Sequence, residues 1–86
     1  MMKKFSIVKK GSRGTDVYIL QTMLRALGIL GGDGKPLDID GDCGDKTVGA
    51  INKFQSISRA YGTELGTNGK NDGCCGAKMW NRLLGV

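Results

Sequence analysis

The sequence predicts an all-α domain: a small three-helix bundle with a duplicated loop–helix unit and long Gly-rich connecting loops. Three observations predict it. Apolar residues recur at helical spacing in three stretches. Runs dense in glycine, asparagine and aspartate separate them, and such runs resist regular structure. The pattern D-G-x-C-G occurs twice, from Asp40 and from Asp72, at a constant offset of 72 − 40 = 32, each time ahead of a helical stretch. With 86 residues there is room for one small core, which must be efficient or stapled.

The first helix lies in "GSRGTDVYILQTMLRALGIL". Thr15 or Asp16 is placed to cap it. Val17, Leu20, Met23, Leu24 and Leu27 form its apolar stripe, while Tyr18, Gln21, Thr22 and Arg25 fall on other faces. Gly28 suits a left-handed stop. After the turn-forming "GGDGKPLDIDGDCG", a second helix begins near Asp45, a good N-cap whose charge suits the positive helix end. Val48, Ile51, Phe54 and either Ile57 or Ser58 share one side, which reaches Tyr61. Gly49 costs a helix interior about 1 kcal/mol against alanine, so it implies close packing against a neighbour. A second loop, "GTELGTNGKNDGCCG", leads to a short last helix carrying Met79, Trp80, Leu83 and Leu84. Trp80 is read as a core anchor.

Charge is uneven. The net charge is +5, and Lys3, Lys4, Lys9, Lys10 and Arg13 all precede the first acid. Residues 1–10 are read as a basic N-terminal segment or linker, and residues 11–86 as the domain. The segment would be a solvated tail or would face an anionic polymer. Its apolar run, Phe5 to Val8, is far shorter than the roughly 7–15 residues of a signal-peptide h-region. No signal peptide is therefore expected in this chain; it would be part of a longer protein or leave the cell by another route. No run approaches the roughly 20 apolar residues of a membrane span.

With no histidine, the chain lacks the commonest general base and the commonest transition-metal ligand. The three cysteines leave several readings open. Cys43 could bridge to Cys74 or Cys75 if the loops meet. Three thiolates and an oxygen could hold zinc, but the paired C-x-x-C spacing is missing. Free buried cysteine is the simplest outcome. The repeat places Cys43 and Cys75 at equivalent inward positions, and Cys74 opposite Asp42 in an exposed slot. Asp38, Asp40 and Asp42 imitate the start of a calcium loop, but Cys43 and Gly49 stand where its glycine and bidentate glutamate should be. Neither a metal nor a cofactor is expected.

In combination these elements resemble the peptidoglycan-binding domain found beside cell-wall hydrolases and phage endolysins. The resemblance rests on Gly11, Gly14, Val17, the pair Leu20 and Gln21, the pair Leu27 and Gly28, Asp40, Gly41, Gly44, Thr47, and the pair Phe54 and Gln55. It continues through Asp72, Gly73, Gly76, Trp80 and Leu83, and so spans nearly the whole chain. The chain departs from the pattern where Cys43 and Cys75 replace aromatic or apolar residues, and where Met79 replaces a second threonine, depriving the last helix of that cap. The loop from Gly62 to Gly73 is also longer than usual.

The resemblance implies three helices and non-catalytic binding of peptidoglycan that targets an associated cell-wall hydrolase or endolysin. It implies a location at the cell wall or outside the cell, as part of a secreted or phage lytic protein. The expected partners are peptidoglycan, anionic wall polymers and a tethered or associated hydrolase domain, with the chain itself a monomer. Most motif residues read as structural. Polar and aromatic residues on the remaining faces are the candidate ligand contacts: Tyr18, Arg25, Asp42, Arg59, Tyr61, Asn71 and Arg82.

The alternative is a nucleic-acid or protein-interaction helical module. No helix reads as a basic recognition helix, and the acidic loop would repel phosphate, so no nucleic acid is expected. An enzyme would have only carboxylates for acid–base work and little chain with which to build a cleft. Metalloprotease prodomains share the general fold, but their Pro-Arg-Cys-Gly signature is absent.

Overall fold

The computed structural model describes residues 5–66 and 69–85. Lys3 and Lys4 of the basic segment lie outside the described residues. Three helices follow one another: α1 (Thr15–Ala26), α2 (Asp45–Ala60) and α3 (Ala77–Leu84), with no strands among the described residues. The architecture is the expected all-α one. Its core gathers Val17, Leu20 and Leu24 from α1, Ala50, Ile51 and Phe54 from α2, and Met79 and Trp80 from α3. Burying each large side chain stabilises the fold by roughly 1.5–3 kcal/mol.

The helix starts differ from the expectation. Gly14 and Gly44 are the N-caps, and neither α1 nor α2 has a side-chain cap. Thr15 and Asp45 are already helical, so their oxygens cannot reach back as N-caps do. Asp16 Oδ2 instead accepts from the Ser6 N–H at 2.8 Å, and Asp45 pairs with Lys10 at 2.9 Å.

The helix ends are regular. Gly28 N–H donates to the Arg25 carbonyl and Ile29 N–H to that of Leu24. Gly62 and Thr63 repeat this against Arg59 and Ser58. Both are the paired bonds of a Schellman stop. The stop explains one miss: Leu27 sits in the cap, 57 % exposed, and Ile29 packs on the core in its place. On α2, Ser58 rather than Ile57 is buried, and Tyr61 lies beyond the helix, 78 % exposed.

Gly49 does what its position predicts. The segment after α1 crosses α2 there, and a Cβ on Gly49 would lie 2.4 Å from Gly32 Cα. Gly32 N–H donates to the Lys46 carbonyl at 3.0 Å, and Lys53 Nζ to the Gly31 carbonyl at 2.7 Å.

The N-terminal segment is packed from Phe5 onward. Val8 is buried and exchanges both backbone hydrogen bonds with Cys75, at 3.1 and 2.7 Å. Gly11 N–H donates to the Cys43 carbonyl, and Cys43 N–H to that of Ser12. One short extended segment therefore stitches both D-G-x-C-G loops together. Trp80 locks its start: Nε1 donates to the Ser6 carbonyl at 2.9 Å, and the indole stacks on Phe5 with centroids 4.4 Å apart.

Candidate functional site

Each D-G-x-C-G loop is held by a buried glutamine on the preceding helix. On α1, Gln21 Oε1 accepts from the N–H groups of Asp40 and Gly41 at 3.0 and 2.9 Å. Its Nε2 donates to Asp40 Oδ1, the Asp42 carbonyl and Thr47 Oγ1, each at 3.0 Å. On α2, Gln55 repeats the pattern one loop later. Its Oε1 faces the N–H groups of Asp72 and Gly73 at 3.2 and 3.4 Å, and its Nε2 donates to Asp72 Oδ1 and the Cys74 carbonyl at 2.8 and 3.0 Å. Asp40 and Asp72 each also accept from the N–H two residues on, at 3.0 Å. Those bonds, from Asp42 N–H first and then Gln21, hold the Asp40 carboxyl below its ordinary range.

Thr47 is therefore not a helix cap. It is buried and serves as a third acceptor for Gln21. Met79, its equivalent, is buried and apolar, so its loss to α3 is a hydrogen bond to Gln55 rather than a cap.

Each loop opens on a cleft at the start of the next helix, and the two clefts correspond. The first, about 360 Å³, includes residues 40, 42, 44, 45, 46 and 47. The second, about 500 Å³, includes residues 72, 74, 76, 77, 78 and 79 at the same offset of 32. Both keep an aspartate and a lysine, Asp40 and Lys46 in the first and Asp72 and Lys78 in the second, but the rest of their charge differs. The first also takes in Asp38, and its ions are largely neutralised: Asp42 pairs with Arg13 at 2.7 Å, Asp45 with Lys10 and Lys46 with Asp33 at 3.6 Å. In the second, Cys74 and Ala77 replace Asp42 and Asp45, and Ile7, Lys9, Leu65 and Gly66 complete the wall. A shallower hollow of about 320 Å³ continues from it through Leu65 and Lys78 to Thr63, Glu64, Asn81 and Arg82. Lys9, Lys78 and Arg82 make no ion pair with any described residue.

The expected contact residues are divided by this geometry. Tyr18 lies over the first loop, so close that a Cβ on Gly41 would meet its ring at 2.5 Å; Gly41 has φ 77°. Asp42 lines the first cleft, and Arg25 donates to the Leu37 carbonyl beside it at 3.2 Å. Arg59 is committed inside the fold. Its guanidinium makes a two-pronged pair with Glu64 at 2.7 and 2.8 Å. That pair, with the Gly66 N–H, holds the Glu64 carboxyl down at about 2. Asn71 is tied to Ser56 Oγ and the Asn52 carbonyl. Tyr61 stands free at the end of α2, and Arg82 alone of the set borders the second groove. Lys78, Ile7 and Leu65 were not singled out as contacts by sequence, and Lys9 was read only as part of the basic N-terminal segment. The repeat held a usable signal, since aligning 45 with 77 shows an acid replaced by alanine.

The cysteines divide as the repeat predicts. Cys43 and Cys75 are 2 % and 0 % exposed, while Cys74 is partly exposed on the groove wall. All three thiols are free. Burial pushes Cys43 up to about 11 and Cys75 up to about 12. No group of potential ligands among the described residues is arranged to hold a metal ion.

The model of the family described as "Putative peptidoglycan binding domain" matches residues 13–62. Among solved structures, the SleB N-terminal domain is similar, with a TM-score of 0.68 and 28 % identity, covering 95 % of this chain and 96 % of that one. No curated protein sequence matches the chain.

Proposed function

Because this chain belongs to the peptidoglycan-binding domain family, we propose that it binds bacterial peptidoglycan without cleaving it and holds an associated cell-wall hydrolase on its insoluble substrate. The family match across residues 13–62 carries the reading, since it takes in both clamping glutamines and the whole first loop–helix joint. The exposed chemistry agrees with it. The groove at the second joint offers ammonium and guanidinium donors beside aliphatic surface, which suits a polymer of N-acetyl sugars and short peptides. Tyr61 and Arg82 are the members of the expected contact set best placed to reach such a polymer. No helix among the described residues is long and apolar enough to cross a membrane.

One domain on an open groove binds weakly. Tethering to a catalytic partner, or many sites on a continuous wall, raises the apparent affinity through effective concentration. The net charge of +5 adds an attraction that salt screens over about 8 Å at physiological ionic strength. Co-sedimentation with purified sacculi, measured against salt, tests the reading. The chain should pellet with the wall, less so at high salt, and should release no soluble fragments. Absence from the pellet at every salt concentration would refute it.

A further inference from the structure

We propose that the groove at the second joint is a subsite for the stem peptide of peptidoglycan, with Lys78 and Lys9 pairing with a peptide carboxylate. Ile7 and Leu65 would receive the small aliphatic side chains beside it. The inference rests on the peptidoglycan reading and adds the moiety recognised and the surface that recognises it.

The two clefts share one scaffold, so their contents can be compared position by position. In the first, internal partners neutralise most of the charge. In the second, Cys74 and Ala77 stand in place of two of those carboxylates, Asp72 remains but is bound by Gln55 and the Cys74 N–H, and Lys9, Lys78 and the neighbouring Arg82 make no ion pair with any described residue. Unpaired cations converging on one groove call for an anion from outside the chain. The apolar component narrows its identity. Ile7 is 64 % exposed at the rim and Leu65 lies along the wall. Alanine-rich peptide acids present methyl groups next to carboxylates, whereas polyol-phosphate chains present hydroxyls.

Cys74 supplies the readout, because it is the one partly exposed thiol and it lines the groove. The rate of its alkylation by iodoacetamide is measured on the whole chain, with and without ligand, and the ratio is compared. The ligands are a free stem tetrapeptide, its fully amidated form, peptide-free glycan strands and a glycerol-phosphate oligomer. At a peptide concentration ten times Kd, alkylation should slow about tenfold by mass action. The other three ligands should leave it unchanged. Lys78→Glu and Lys9→Glu, both at exposed positions, should each weaken protection by about fivefold or more. Lys46→Glu, at the equivalent place in the first cleft, should not. If the chain pellets with sacculi but the peptide acid gives no protection, or glycan or phosphate protects equally, the subsite is wrong and the peptidoglycan reading stands. If the chain does not pellet at all, both fall.

Discussion

Gln21 reaches three acceptors at the first joint, and Gln55 reaches two at the second. The bonds to Gln55 Oε1 are also longer, 3.2 and 3.4 Å against 3.0 and 2.9 Å. The first joint is thus the better satisfied, and its charged rim is mostly paired off. The second gives up a buried hydrogen bond for a buried methionine. It is secured by Trp80 instead, and its cations make no ion pair with any described residue. Once a loop is fixed from behind by a glutamine, its front is free to change. The joint with the fewer internal commitments is the one with a surface available to a ligand.

The heaviest blow to this division of labour falls on Trp80. Its equivalent in the first joint is Val48, which is only partly buried. Trp80→Ala removes the stack on Phe5 and the bond to Ser6, and should cost about 3–5 kcal/mol. That approaches the whole stability of many small domains, so chemical denaturation should show a chain near its folding limit. A loss under about 1 kcal/mol would mean the second joint is not anchored as described.

The glutamines come next. Gln21→Ala strands the buried Gly41 N–H and leaves Thr47 Oγ1 without its donor, and should cost about 3 kcal/mol. Gln55→Ala should cost about 2 kcal/mol, since one partner fewer is stranded and the bonds are longer. Thr47→Val, which removes only the extra acceptor, should bring the first joint down by about 1 kcal/mol. Urea midpoints of the variants check the ordering, and equal losses for the two glutamines would erase the distinction.

Gly49→Ala separates local propensity from tertiary contact. Alanine gains about 1 kcal/mol in a helix interior. The new methyl must displace the Gly32 backbone, which costs about 1–3 kcal/mol. Thermal unfolding should therefore show a net loss of about 1 kcal/mol where an isolated helix would gain.

The smallest effect is a dependence on pH. Glu64 titrates at about 2 in the folded chain, against an ordinary 4.5, because Arg59 and then the Gly66 N–H hold its charged form. A depressed carboxyl contributes its stability in full above 4.5 and loses it as pH falls towards about 2. The melting temperature of the parent chain should decline more steeply over that window than that of Glu64→Gln. Parallel curves would show that the Arg59 pair contributes nothing to acid stability.

Much of this was legible in the residues. The helices, the stop at Gly28, the crossing at Gly49, the core role of Trp80 and the inward Cys43 and Cys75 follow from spacing and from backbone chemistry local to each residue. The misses share a physical origin. Leu27 obeyed the helical period but fell in the cap, where the chain turns away from the core. Asp45 and Thr15 were good capping residues one position too late. Thr47 was read as a cap because its partner, Gln21, is 26 residues distant. Arg59 and Asn71 looked like free surface groups until Glu64, Ser56 and Asn52 were found within hydrogen-bonding distance.

By itself, then, the sequence determined where the helices run, where they stop and that two loops are built alike, because periodicity, glycine backbone freedom and the 32-residue repeat act over short range. Only the tertiary structure decided which loop is closed and which is open. Charge pairing depends on what lies across space. Arg13 and Lys10 settle on the first joint, whereas at the second Val8 and Cys75 zip together and leave Lys9 and Lys78 facing an open groove.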